Sequence, residues 1–372
     1  MQADPANSFR DSGPRRTISS LILAVAALCL TFTGVACAAT APGAPFALVS
    51  PRKAEALEHS SHRTRGAALR NGEKVRRHAA HPVPRLQIEG RLPHRGGYDE
   101  SMEAAKDFTA ARDLALAGRL TRDPEKLKRA AGIISAWLAV YHPTYNPIDE
   151  SRIDSLIIAY DLLPPDVKAP LAKPMNNFLR ELAEGYLDRL PQVTDKTATN
   201  NWQSHRIKLI TLASYALGDR SLIAQAKSAY RTQLANNIRP DGSTVDFQER
   251  DAVHYVVYDL EPLALAALAA QEHGEDWYHL KNPAGVGLEE ALLWLKPYAD
   301  GSATHDEFVR SKVKFDAERR KAGIAEFRGQ FDPKGARGVM MIAARLDPRF
   351  IPTTKELGWS TPLFDLVWPL RD

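Results

Sequence analysis

Past residue 90 the apolar positions recur with helical rather than strand spacing. "DPEKLKRAAGIISAWLAVY" places Leu127, Ala130, Ala131, Ile134, Trp137 and Leu138 on one stripe. Asp123 stands as its N-cap and Pro124 at the first helical position. "ESRIDSLIIAYDLL" and "PDVKAPLAKPMNNFLRELAEGYLDRL" follow. "NNWQSHRIKLITLASYALG" and "DRSLIAQAKSAYRTQLANNI" come next, separated at Gly218 and Asp219, and "RPDGS" reads as a turn. A long helical tract is expected from about Phe247 to His273, with "GLEEALLWLKPY" after it. Helices of about 15 to 20 residues joined by short loops pack as antiparallel neighbours. The pattern predicts an all-α fold, best read as an α/α toroid, an incomplete (α/α) barrel of antiparallel helix pairs. A plain bundle or a solenoid is the alternative.

The first ninety residues differ. "RRTISSLILAVAALCLTFTGVACAA" has two arginines, an apolar run and then small residues, the order of a signal peptide over 1–38. It predicts a periplasmic or secreted protein, without stable membrane insertion after cleavage. Lipidation of Cys37 is the other outcome. Both cysteines, Cys29 and Cys37, lie in this leader, so a matured chain has neither disulfide nor thiolate. Residues 39–90 are rich in Arg, His, Ala and Pro and lack a sustained apolar period. They read as a flexible basic linker or arm ahead of a domain spanning 91–372.

The net charge of +4 is modest. It would suit a polyanionic polysaccharide, and no nucleic-acid motif accompanies it. The chain is expected to be a monomer.

Two polar clusters interrupt the apolar pattern. In "QERDAVHYVVY", Arg250, His254 and Tyr258 stand at i, i+4 and i+8, drifting only about 40° per step on one helix face, with Tyr255 beside them. Pro262 cannot donate to the Tyr258 carbonyl, so a kink or restart is expected just after Tyr258. In "TNNWQSHR", Asn200 reads as an N-cap with Gln203 three residues on, while Asn201 and His205 stand one turn apart. Trp202 is either core or a platform for a sugar ring. His205, His254 and His305 lack metal-ligand spacing and no HExxH occurs; no G-x-S-x-G elbow is present either.

"NNWQSHR", "DFQERDAVHYVVYDLEPL" and "HDEFVRSKVKFDAERRKAGIAEF" resemble the alginate lyase superfamily of α/α-toroid polysaccharide lyases, over roughly residues 90 to 350. The histidine that follows the Asn pair in well-known members is replaced by Trp202, with His205 one turn later. The resemblance implies β-elimination on 4-linked uronic acid polymers. Tyr258 is then the expected base and acid, aided by a cation such as Arg250, with His254 or Tyr255 as alternatives for the base. His205, Arg250 and Asn201 would neutralise the uronate carboxylate; Asn200, Trp202, Arg206 and Tyr255 would bind substrate. No cofactor and no metal enter this scheme. A glycoside hydrolase using two of Asp246, Glu249, Asp251, Asp259 and Glu261, or a periplasmic polysaccharide-binding protein, are the competing readings.

Overall fold

The computed structural model describes residues 44–358 and 361–370. The expected leader, with Cys37 and the expected cleavage site, lies outside the described residues.

Helices alternate between an inner and an outer layer. Lys106–Thr121, Ile153–Leu162, Asn201–Leu217 and Val253–Glu272 pack on one another in succession. Outside them lie Pro124–Val140, Ala172–Arg189, Arg220–Asn237 and Leu288–Ala299, each against an inner neighbour. This is the α/α toroid. Among the described residues there is no strand, and only isolated bridges occur.

The local signals act as read. Asp123 accepts from the N–H groups of Glu125 and Lys126 ahead of Pro124. The Asn200 side chain accepts from the Trp202 N–H at 3.0 Å. Gly218 ends its helix in the left-handed region (φ 64°), where a Cβ would be strained, and Asp219 caps the next helix.

The inner helices explain why polar residues occupy packing positions. Asn201–Leu217 is buried on nearly every side, so its polar groups must find partners inside the protein. Ser204 Oγ donates to Asp259 Oδ1 at 2.6 Å, and Lys208 Nζ donates to Asp154 Oδ2 at 2.5 Å.

The long tract expected from Phe247 to His273 is in fact two helices. Val245–Arg250 stops at Asp251, which sits at φ 51°, and Val253–Glu272 starts after extended Ala252. Segment 305–310 clamps the break: the Asp251 carbonyl accepts from Phe308 N at 2.8 Å and His305 Nε2 at 2.9 Å, and its carboxylate accepts from Arg310 N at 2.8 Å. The interruption therefore falls within the polar row, between Arg250 and His254, instead of following Tyr258, and Val253–Glu272 runs unbroken through Pro262. The Tyr258 carbonyl, which Pro262 cannot satisfy, is faced by the buried His205 ring, whose approach falls short of a formed hydrogen bond.

The expected flexible arm is also corrected. From residue 44 onward it is folded onto the domain, with Ala47, Leu48, Val49, Ala54, Leu57, Ala68 and Leu86 in the core. Buried carboxylates of the toroid hold its backbone. Asp161 accepts from the N–H groups of Ala47, Leu48 and Val49 at 2.7–3.1 Å. Asp149 accepts from Ile88 and Glu89 at 2.6 and 2.7 Å, and Asp107 from His81 N at 2.7 Å. Periodicity shows only self-burying helices. A segment fastened by distant carboxylates leaves no such trace.

Candidate active site

A cleft of about 760 Å³ opens where the start of Asn201–Leu217, the Arg250–Tyr258 stretch, the arm near residue 90 and the segment around Val313–Phe327 converge. Asn200, Asn201, Trp202, Arg250, His254, Tyr255 and Tyr258 line it. The two clusters thus face one space. His205 and Arg206 do not line it.

Arg250 reaches the cleft from the end of its own short helix rather than from a face shared with Tyr258. Its guanidinium lies 3.9 Å from the centroid of the Tyr255 ring. It donates to Asp316 Oδ1, and its Nε stands 3.6 Å from Asp246 Oδ1. Arg319 Nη1 donates to the Tyr255 hydroxyl at 2.7 Å. Burial pushes the Tyr255 phenol upward, while Arg250 and Arg319 oppose that shift.

Tyr258 has different neighbours. Its ring lies 4.5 Å from that of His205. Burial pushes its phenol up to about 12, with the Ser151 side chain acting against this. The nearby cation that lowers it is Arg152. The expected partnership of Tyr258 with Arg250 is replaced by one between Arg250 and Tyr255, because the chain turns at Asp251 and Ala252.

His205 lies beneath Tyr258, 4% exposed, and neither ring nitrogen has a partner. Burial and then the Lys208 charge hold its pKa well below the usual histidine range. It lies behind the cleft wall and not in the lining, where the expected carboxylate-neutralising role would place it. His254 does face the cleft, and burial lowers its pKa as well. Asn201 is fixed by Asp246, which accepts from its backbone N–H at 2.7 Å and its amide at 2.8 Å. The second amide hydrogen remains for a ligand. Burial raises Asp246 to about 6 and Asp259 well above a carboxyl's ordinary value.

Arg206 has a structural task. It donates to the Thr197 carbonyl at 2.6 Å and to Gln203 Oε1 at 3.1 Å, fastening the loop ahead of Asn200. Arg206→Ala is expected to cost about 1–3 kcal/mol of unfolding free energy by urea titration, with KM unchanged. A raised KM at full stability would return it to substrate binding.

Of the five acids offered for a hydrolase, only Glu249 lines the cleft, and it is paired with Lys196 at 2.8 Å. Asp246 and Asp259 are fully buried, and Asp251 clamps the helix break.

Sequence reasoning missed Arg319, Lys196, Arg91 and Glu89, all in the cleft lining. Arg319 falls within the third resembling tract. Its i, i+3 relation to Asp316 was a usable signal, though a weak one among many charged pairs.

Comparison with known proteins agrees with this fold. The family model described as alginate lyase matches residues 51–305. No curated protein matches. Among solved structures, an alginate lyase from Bacteroides ovatus superposes with a TM-score of 0.62 at 16% identity, covering 88% of this chain and 100% of its own. Alginate lyase A1-III from Sphingomonas species A1 gives 0.51 at 18% identity, covering 78% and 95%. A histidine-to-alanine variant of A1-III, complexed with a tetrasaccharide, gives 0.52 at 18% identity, covering 78% and 94%. At such identities these structures share the fold. The family model spans well over half the sequence, and on that ground the chain belongs to the alginate lyase family and is a polysaccharide lyase.

Proposed function

We propose that the enzyme cleaves polymers of 4-linked uronic acid, alginate or a related polyuronate such as glucuronan, by β-elimination, leaving an unsaturated uronate end. The observation that carries this reading is Tyr255, a phenol in a cleft wall with one guanidinium over its ring and another on its oxygen. Removing the C5 proton builds a second negative charge beside the uronate carboxylate. Hydrogen-bond donors set at that position lower the barrier most in a cleft shielded from water. Arg250, the free amide hydrogen of Asn201 and the neutral His254 imidazole are the donors for it.

Tyr255 takes the C5 proton onto its phenolate oxygen. The C5 electron pair forms the C4–C5 double bond as the C4–O4 bond breaks. In a syn elimination the same phenol returns its proton to O4. The guanidiniums of Arg250 and Arg319 favour the phenolate, a help that Tyr258 receives only from Arg152. A relative of the same fold recorded with a tetrasaccharide supports an oligosaccharide ligand. The order of residues in the leader supports a periplasmic or secreted location.

The deciding assay is a panel of mannuronate-rich alginate, guluronate-rich alginate and glucuronan, followed by near-ultraviolet absorbance. Growth of the absorbance of an unsaturated uronate is expected on at least one of them. New reducing ends without absorbance would make the enzyme a hydrolase. Retention of polymer with neither signal would make it a binding protein.

A further inference from the structure

Where the arm meets the inner helix Lys106–Thr121, two histidines and a buried aspartate come together away from the cleft. His78 Nε2 lies 2.5 Å from Asp107 Oδ1, and the donor atoms of His78, His81 and Asp107 all fall within 4.8 Å of one another. Among the described residues this is the one such group of His, Cys, Asp and Glu. Asp107 is fully buried, whereas His78 is partly exposed and His81 exposed.

We propose that His78, His81 and Asp107 bind a Zn²⁺ ion that locks the arm onto the toroid. Ligands about 2.0–2.1 Å from a tetrahedral ion stand roughly 3.3 Å apart. His78 and Asp107 must part slightly and His81 must swing inward, which an exposed side chain on non-helical backbone does easily. Two imidazoles with one carboxylate suit Zn²⁺, whereas Ca²⁺ and Mg²⁺ favour all-oxygen sites. The carboxylate is already oriented from behind: Asp107 Oδ2 accepts from Trp137 Nε1 and from His81 N, both at 2.7 Å. Such outer contacts hold a ligand in its binding direction. The fourth position faces solvent. Glu103, exposed and paired with Lys106, lies close enough to both imidazoles to feel their charge and can supply it in place of water.

Because the ligands come from both the arm and the toroid, metal binding adds to the stability of arm docking. The test uses the full chain stripped with chelator, then titrated with zinc chloride by calorimetry and thermal melting, with metal content counted after gel filtration. One zinc per chain, a melting point higher by several degrees and slower proteolysis within residues 44–90 are expected. His81→Ala should weaken binding at least tenfold with the metal-free melting point unchanged, and an exposed control, His279→Ala, should bind as the parent does. His81→Ala decides the matter even if His78→Ala fails to fold, because the bond from His81 to Asp107 is made by its backbone N–H, which alanine keeps. Zinc binding that survives His81→Ala undiminished, or no retained zinc and no stabilisation, overturns the site.

Discussion

Tyr255→Phe should lower kcat by about 10²–10⁴-fold, the usual worth of a general acid–base group, with little change in KM. The substitution removes one oxygen. The ring keeps its place among Phe308, Phe327 and the Arg250 guanidinium, so folding should be preserved and circular dichroism should match the parent. Tyr258→Phe should cost much less. The pH profile gives a second reading. Burial holds Tyr255 above tyrosine's usual value of about 10, and a base works only in its deprotonated form. The active fraction, and with it kcat/KM, should therefore climb as pH rises through the alkaline range. Arg319→Gln deletes a phenolate-stabilising charge, so it should push that limb to still higher pH and lower the rate at neutrality. Should Tyr258→Phe be the inactive variant while Tyr255→Phe keeps both rate and limb, the base is Tyr258.

For stability, the largest loss is expected from Asp161→Ala. The carboxylate accepts three successive N–H groups of the arm deep in the protein. Alanine would leave those donors unpaired, and each buried orphan costs about 1–3 kcal/mol. A total on the order of 4 kcal/mol or more is a large part of the 5–15 kcal/mol that holds a typical domain. Asp161→Asn keeps one acceptor oxygen and should lose less. Urea titration gives the magnitude, and limited proteolysis should show cutting within 44–90 before the toroid opens. Stability within 0.5 kcal/mol of the parent would mean that packing of Leu48 and Leu57, not the carboxylate, holds the arm.

Sequence carried the architecture well because each toroid helix announces itself by its own stripe, caps and stops. Asp123, Asn200, Gly218 and Asp219 act in the structure as their chemistry suggested. It also brought Asn201, Trp202, Arg250, His254, Tyr255 and Tyr258 to one cleft. What it misplaced depends on contacts across the chain. The break at Asp251 is fixed by residues 305–310, more than fifty positions away, so a helical period continued through it on paper. The arm looks loose in sequence because its anchors, Asp107, Asp149 and Asp161, belong to other segments. The spacing one turn after Asn201 suggests the same face for His205, yet on a helix buried on nearly every side that position turns the ring under Tyr258. Arg319 escapes a sequence reading because only the folded chain brings it to the Tyr255 oxygen.

The cations of the cleft bear on how a polyanion would be held. Arg250 stands between Asp316 and Asp246, Arg319 lies 3.8 Å from Asp316, and Lys196 is paired with Glu249. Of the cleft cations, Arg91 is held by the neutral Gln87 amide oxygen at 2.8 Å, so it could meet a uronate directly. At the paired cations a uronate would enter as in an ion exchanger, competing with a resident carboxylate, and its Coulomb gain there would be the difference between two pairings rather than the whole of one. Net charge then selects little. A polymer whose carboxylates fall at the spacing of these exchange sites gains several swaps at once, while an equally charged polymer out of register gains almost none.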